Sequence, residues 1–240
     1  MRRTISAPGW NAWGCSPRFG GAGSTQGPWS ASGGTRLSLR GRTGLFGGTF
    51  NPIHTGHLRV AEEALRQFGL REVVFVPTGQ PPHRAVDEGV SGEARYMMVS
   101  LAVDEQPGFA VSRIEVDCGP CYTVDTVAAM KEEHPEGVAY IVGADIFARI
   151  ETWHEWPRLL TSCPFIVAPR PGVPATTFRR PPFDQGELFF LEMPLIGVSS
   201  SEIRRRYREG RPIAGMIPEA VDRWIRAHGL YGVAPCDAGG

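Results

Sequence analysis

The stretch that decides the fold is residues 45–57, which read Leu-Phe-Gly-Gly-Thr-Phe-Asn-Pro-Ile-His-Thr-Gly-His. The first two residues are apolar and typical of a buried strand, and two glycines follow them directly. Over residues 55–68 apolar side chains then recur at helical spacing. A strand, a glycine turn and a helix in this order predict the first unit of a parallel sheet. The turn would offer its backbone N–H groups to an anion such as a polyphosphate.

The rest of the chain repeats this alternation of short apolar runs and amphipathic stretches. Further strands are predicted at 73–76, 109–116, 138–142, 165–167 and 188–191. Helices are predicted at 93–105, 123–133, 144–150, 156–161, 199–208 and 218–228. The pattern indicates an α/β fold, a parallel sheet with helices on both faces, because such strands are buried on both sides. Ligands of such sheets bind beyond the carboxyl ends of the strands.

Charge is distributed unevenly along the 240 residues. Residues 1–42 contain six arginines and no acidic residue, and the remainder holds 19 basic and 25 acidic residues. We predict a disordered or loosely ordered extension over 1–42 and one domain over 43–240. A transit peptide or a basic binding arm is an alternative for the extension. The acidic domain argues against nucleic acid as a partner, because phosphate binding needs positive charge.

Composition also bears on the compartment. No apolar run reaches the length of a membrane-spanning helix, so no membrane partner is expected. Five cysteines, an odd number, occur without an apolar signal-peptide core, which favours a reducing compartment and a cytoplasmic location. Whether the chain forms a homo-oligomer is left open.

The histidines of the opening stretch suit phosphate chemistry. His54 and His57 are three residues apart, so they share a face of a helical turn, and Gly56 adds no side chain between them. Two imidazoles on one face can donate hydrogen bonds to phosphate oxygens and stabilise charge that gathers there. A zinc site is not expected, because no third ligand occurs at a suitable spacing.

The segment from Gly47 to His57 resembles the signature of the HxGH nucleotidyltransferase superfamily. The resemblance implies a Rossmann-like nucleotidyltransferase fold and transfer of AMP from ATP without a covalent enzyme intermediate. It implies ATP binding by Gly47, Gly48, Thr49 and Phe50, and catalytic contacts from His54 and His57 to the phosphates. Mg²⁺ is expected as a cofactor held mainly by the substrate phosphates, since the sequence shows no dedicated carboxylate cluster.

A second segment, Gly-Val-Ser-Ser-Ser-Glu-Ile-Arg at 197–204, is similar to the late ISSTxIR element of the same superfamily. By that resemblance Ser199, Ser201 and Arg204 bind ATP, and Arg204 is also a catalytic candidate. Hydroxyls and an arginine at a helix N-terminus make a suitable anion site. The alternative is an ordinary serine N-cap followed by solvated arginines.

Three further segments resemble the nicotinate-nucleotide adenylyltransferases within that superfamily. They are 76–84 (VPTGQPPHR), 119–126 (GPCYTVDT), and 141–145 (IVGAD) with 152–156 (TWHEW). The implied reaction joins ATP and nicotinate mononucleotide into nicotinate adenine dinucleotide and pyrophosphate, a step of NAD biosynthesis. The implied acceptor-binding residues are His83, Arg84, Tyr122, Thr123, Asp145 and Trp153. A sister enzyme that uses nicotinamide mononucleotide or another small phosphate acceptor is the alternative.

Two features depart from the family pattern. Asn51 stands where many members have aspartate, and Cys118 and Cys121 stand where glycine and serine are usual. The letters Cys-Gly-Pro-Cys at 118–121 also match the redox motif of thioredoxins, so a thiol-disulfide oxidoreductase is a remote alternative. That reading leaves the histidine pair and the other motifs unexplained.

Overall fold

The computed structural model describes residues 36–79, 90–104, 106–118 and 121–233. The predicted acceptor residues His83 and Arg84 lie outside these described residues. Within them, no helix combines the length and the apolar character needed to cross a bilayer.

Six parallel strands of the described residues form a single sheet. In chain order they are β1 (Thr43–Gly48), β2 (Glu72–Pro77), β3 (Phe109–Val111), β4 (Val138–Gly143), β5 (Phe165–Ala168) and β6 (Leu188–Phe190). Their order across the sheet is β3-β2-β1-β4-β5-β6, and each neighbouring pair is parallel. This is the doubly wound Rossmann order, so the predicted fold class is confirmed. The order reverses between β1 and β4, and a crevice opens at that point beyond the carboxyl ends of the strands.

In the described part of the chain, seven α-helices surround the sheet. They are α1 (Thr55–Phe68), α2 (Gly92–Val103), α3 (Thr123–Glu133), α4 (Ala144–Phe147), α5 (Trp156–Ser162), α6 (Ser200–Arg208) and α7 (Glu219–Ala227). Their positions agree with the predicted helices, apart from the stretch 144–150, in which α4 ends at Phe147. The connection from α1 to β2 begins at Gly69, whose φ of 61° ends the helix in the left-handed region that glycine adopts at low cost.

The apolar core has two layers, one on each face of the sheet. Successive residues of β1 point to opposite faces, so Leu45 and Phe46 belong to different layers. The Phe46 layer packs against α1, α2, α6 and α7, and the Leu45 layer packs against α3, α4 and α5. The central strands are packed on both faces, and the loops at the carboxyl ends of these strands are attached to this packed sheet.

Two further boundaries differ from the sequence prediction. The strand expected over 109–116 ends at Val111, because Val116 and Asp117 donate backbone hydrogen bonds to the Arg113 carbonyl and turn the chain. The folded region also starts before residue 43. A 3₁₀ turn spans Arg36–Leu39, and Leu39 is fully buried in the core, so the extension predicted over 1–42 extends too far.

Candidate active site

A cavity of about 500 Å³ lies at the point where the strand order reverses. It is bounded by the carboxyl ends of β1 and β4 and by the N-terminus of α6. The predicted residues that line it are Gly47, Gly48, Thr49, Phe50, His57, Thr123, Asp145, Trp153, Ser201 and Arg204. A contiguous recess is lined by His54, His57, Asp145 and Ser199 among others. The structure therefore brings together nearly all of the predicted site residues that it describes; Tyr122 is the exception.

The loop after β1 is held from behind by side chains that bind its carbonyl groups. Arg95 donates to the Thr49 carbonyl at 2.8 Å, and Arg204 donates to the Asn51 carbonyl at 2.8 Å. Phe50 adopts a φ of 47°, which turns the chain sharply at this point. Arg95 is buried and does not line the cavity. The Thr49 carbonyl, which accepts from Arg95, therefore points away from the cavity. Because this peptide is trans, the Phe50 N–H of the same unit points in the direction opposite to the Thr49 carbonyl.

The two histidines begin α1 and fix each other. His54 is the N-cap residue, and its Nδ1 accepts a hydrogen bond from the His57 N–H at 3.3 Å. In return, the Nδ1 of His57 accepts from the His54 N–H at 3.3 Å, and the rings stack 3.6 Å apart. Since both Nδ1 atoms are acceptors, the proton of each neutral ring is on Nε2. Each imidazole is thus a hydrogen-bond donor of fixed tautomer.

Both imidazoles are neutral near pH 7. Burial and the positive charge of Arg170 lower the pKa of His54 to about 3. Burial, His54 and Arg170 likewise hold the pKa of His57 well below its ordinary value. The cationic form is therefore disfavoured, and the pair presents N–H donors rather than charges to a bound phosphate.

The N-terminus of α6 forms another wall. Ser199 is the N-cap of α6, and its Oγ accepts a hydrogen bond from the Glu202 N–H at 3.2 Å. The side chain of Ser199 is therefore a helix cap, as the alternative interpretation of this segment expected. Ser200, which the sequence reasoning passed over, lines both parts of the cavity and donates to the Pro52 carbonyl at 2.9 Å. The positive end of α6 thus faces the space beside the histidines, which favours an anion there.

Arg170 is the main site residue that the sequence reasoning missed. It stands two residues after the end of β5 and lines both parts of the cavity, and its Nε lies 3.5 Å from Oδ1 of Asp145. Asp145 was predicted as an acceptor-binding residue; it lies in the first turn of α4, whose N-cap is Gly143. Only the position of Arg170 in the sequence could have indicated its role, because a charged residue near the carboxyl end of a parallel strand lies at the edge of the sheet where ligands bind.

The opposite wall is apolar and aromatic. Trp153 packs edge-on against Tyr140, with ring centroids 6.2 Å apart. The Tyr140 hydroxyl is hydrogen bonded to Thr123 and sits where a Cβ on Gly47 would lie, so only glycine fits at position 47. Tyr122 stacks on His154 at 4.0 Å and does not line the cavity, unlike its predicted role in acceptor binding.

A buried carboxyl group supports this wall from behind. Glu115 is only 6% exposed and accepts a hydrogen bond from the Thr126 hydroxyl at 2.8 Å. Burial raises its pKa above the ordinary value, while hydrogen bonds from Thr126 and Thr78 oppose that shift. It thereby connects the first turn of α3 to the end of β2.

Among the described residues, one group has the composition of a metal site, and it lies away from the cavity. Glu72, His134 and Glu136 place ligand atoms within 4.8 Å of one another near the start of β1 and β2. Arg71 forms ion pairs with both carboxylates, and Thr43 donates to Glu136 at 2.9 Å. These contacts account for the cluster as an ion-pair network.

Cys118 and Cys121 also lie outside the cavity lining. Cys118 and Cys121 form a disulfide with their Cα atoms 6.3 Å apart. The buried Cys163 is not part of this pair.

Comparison with known proteins places these features in a family. Residues 45–206 match the family model described as cytidylyltransferase-like. A protein of Moorella thermoacetica named "Probable nicotinate-nucleotide adenylyltransferase" is 43% identical over 199 residues, which cover 80% of this chain and 92% of the relative. A protein of the same name from Thermus thermophilus is 43% identical over 192 residues, covering 79% and 99%.

Solved structures agree on the fold. Nicotinic acid mononucleotide adenylyltransferase of Plasmodium falciparum, complexed with NaAD, superposes with a TM-score of 0.68 at 19% identity. The match covers 80% of this chain and 98% of that one. At this identity the likeness concerns the fold alone.

Proposed function

The chain belongs to the cytidylyltransferase-like family and, within it, to the nicotinate-nucleotide adenylyltransferases, and from this membership we propose how its site performs the reaction. The reaction transfers AMP from ATP to nicotinate mononucleotide and yields nicotinate adenine dinucleotide and pyrophosphate in NAD biosynthesis. An oxygen of the acceptor phosphate forms a bond to the α-phosphorus of ATP. The bond from that phosphorus to the oxygen bridging to the β-phosphorus breaks, and pyrophosphate leaves.

The observation that carries the mechanism is the mutually capped histidine pair beside the loop after β1. His54 and His57 present Nε2–H donors of fixed tautomer, and the Phe50 N–H lies on the same loop. We assign these donors to the non-bridging oxygens of the α- and β-phosphates, where negative charge increases in the transition state. Because the donors are already oriented, the reaction requires little reorganisation of the site.

The leaving pyrophosphate is assigned to the wall formed by α6 and the two arginines. Arg170 and Arg204 carry permanent positive charge into the cavity, and Ser200 and Ser201 stand at the N-terminus of α6. Charge-assisted hydrogen bonds of this kind are stronger than those between neutral groups. The arrangement suits a group that leaves with several negative charges.

The acceptor is assigned to the wall of Trp153 and Thr123. The pyridine ring of nicotinate mononucleotide is a cation, and the face of an indole attracts it. The first N–H groups of α3 lack partners within the helix, and its N-cap Tyr122 makes no side-chain hydrogen bond. We assign the ring carboxylate to these N–H groups, which an uncharged carboxamide would use less well.

The described lining suits a magnesium–nucleotide complex rather than a metal site of the protein's own. Asp145 is the single carboxylate among the described lining residues, and Arg170 neutralises it. Mg²⁺, when bound, would neutralise phosphate charge and would be held chiefly by the phosphate oxygens. Asp145 is then available to the ribose hydroxyls.

The test is a pyrophosphate-release assay on the purified full-length chain with ATP and Mg²⁺. Nicotinate mononucleotide and nicotinamide mononucleotide are compared, and the dinucleotide product is identified by mass spectrometry. We expect kcat/KM to be at least about tenfold higher for the nicotinate, corresponding to about 1.4 kcal/mol of preference. Equal or reversed values would overturn the assignment of the carboxylate to α3.

A further inference from the structure

A turn near the end of the described chain reaches back to the nucleotide loop after β1. Tyr231 follows α7 and is only 5% exposed. Its hydroxyl donates to Oδ1 of Asn51 at 2.6 Å, a buried contact between residues 180 positions apart in the sequence. Asn51 belongs to the loop between β1 and α1 and lines the cavity. Tyr231 itself does not line the cavity, so its effect on a bound nucleotide passes through Asn51.

Tyr231 makes this contact from an unfavourable backbone conformation. Its φ is 58°, in the left-handed region that bulky residues rarely adopt, and a glycine at this position would adopt the same φ at lower cost. Such a residue persists where the surrounding structure holds it. The Tyr231 ring lies 5.9 Å from the Tyr207 ring of α6, and its hydroxyl lies 3.9 Å from Sδ of Met98 in α2. The side chain is thus fixed between two helices, with its hydroxyl directed at the loop.

Asn51 is held from two directions. Its side-chain oxygen accepts from Tyr231, and its carbonyl accepts from Arg204 at 2.8 Å. The Asn51 side chain is buried, so loss of a hydrogen-bond partner there is costly. Asn51 directly follows Phe50, at which the loop turns, and stands three residues before His54, the N-cap of α1. Because these residues share one short loop, the position of Asn51 constrains both the turn and the start of α1.

We propose that Tyr231 is a positioning residue for nucleotide binding, which acts through Asn51 on the loop that carries the phosphate contacts. The turn that contains Tyr231 is then part of the active-site structure as well as a cover for the core. Without the hydroxyl, the Asn51 oxygen loses a buried donor, and the loop adopts its binding conformation in a smaller fraction of molecules. The apparent Kd of the nucleotide rises in inverse proportion to that fraction. This inference rests on the proposed binding of ATP at this loop.

The test is calorimetric measurement of the Kd of an ATP analogue whose α,β-bridge is a methylene group, without acceptor. Tyr231→Phe keeps the ring and removes the hydroxyl, and its Kd should be at least about fivefold higher than that of the wild type, as expected for one buried hydrogen bond. The matched control is Tyr207→Phe, which loses the hydrogen bond of 2.7 Å from the Tyr207 hydroxyl to Asp222. The Kd of this control should stay within about twofold of the wild type.

A second background tests the route through Asn51. In a chain that already carries Asn51→Ala, Tyr231→Phe should change the Kd by less than about twofold, because the contact is already lost. A further increase as large as that in the wild-type background overturns the proposal. A tyrosine needed only for folding would lower the Tm of Tyr231→Phe and leave its Kd equal to that of the wild type, and this result also overturns it.

If Tyr231→Phe does not fold, hydrogen exchange on the wild-type chain decides. The analogue should slow the exchange of amides at 229–233, which do not line the cavity, together with that of amides at 49–54. Lack of protection at 229–233 overturns the proposal. Failure of the wild-type chain to bind the analogue at all overturns the proposed function instead.

Discussion

Replacement of His57 by asparagine and, in a second variant, by glutamine separates the two roles of this side chain. The imidazole Nδ1 accepts the His54 N–H, and its Nε2–H is the proposed donor to phosphate. The amide of asparagine lies at the δ position and can keep the first contact without the second. The amide of glutamine lies at the ε position and can keep the donor without the cap.

The expected magnitudes follow from these contacts. Loss of a donor to the transition state costs roughly 10²–10³ in kcat, about 2.7–4 kcal/mol. Loss of an N-terminal cap costs about 0.5–2 kcal/mol of folding free energy. We therefore expect His57→Asn to fold with nearly wild-type stability and to lose about 10²–10³ in kcat. We expect His57→Gln to lose stability but to retain more of its activity.

Two assays are needed. Pyrophosphate release at saturating ATP and nicotinate mononucleotide gives kcat, and urea denaturation gives the free energy of unfolding. The reasoning is refuted if His57→Asn keeps kcat within tenfold of the wild type. It is also refuted if the glutamine variant is no more active than the asparagine variant, because the ε donor would then have no part in the reaction.

Three further predictions test other contacts. Gly47→Ala should lower the free energy of unfolding, measured by urea denaturation, by about 1–3 kcal/mol because the added methyl group overlaps the Tyr140 hydroxyl. Adding Tyr140→Phe to this variant should recover part of the lost stability. Wild-type stability of Gly47→Ala would contradict this contact. Arg170→Met should raise the KM for ATP at least about tenfold, which corresponds to a loss of about 1.4 kcal/mol in ATP binding, and Asp145→Asn should raise this KM less. An unchanged KM of Arg170→Met in initial-rate assays would exclude Arg170 from nucleotide binding. Burial raises the pKa of Glu115 in the folded state. As the pH rises above about 4.5, the unfolded chain therefore loses this proton more readily than the folded chain, and the folded state becomes less stable. Urea denaturation at pH 4 and pH 8 should therefore show Glu115→Gln gaining stability relative to wild type at the higher pH, and the opposite trend would refute the buried, ionisable role.

Much of the fold was predictable because it depends on local patterns. The apolar run Val73-Val74-Phe75-Val76 and the run Phe165-Ile166-Val167 are strands in the structure, and the parallel order follows from their alternation with helices. The cavity location was predictable for the same reason, since Gly47 and Gly48 end the first strand. Local spacing also placed both histidines at the start of α1.

The missed residues depend on tertiary contacts. Arg95 occupies a helical position at which a sequence suggests a solvated charge, and only the carbonyls of two distant loops explain its burial. Glu115 lies within a predicted strand, but the chain turns there and directs the carboxylate inward to Thr126. Arg170 stands in a segment rich in proline and arginine, in which no single residue is distinguished by spacing.

The neutrality of the two histidines determines what a pH titration of this enzyme measures. His54 and His57 carry no proton that they lose near neutral pH. The acceptor does ionise in this range, since a phosphate monoester loses its second proton near pH 6. The rate should therefore follow the dianion of the substrate, and an acceptor analogue with a more acidic phosphonate should shift the whole profile to lower pH. We therefore expect the acidic limb of the pH profile to follow the acceptor phosphate and not the histidine pair.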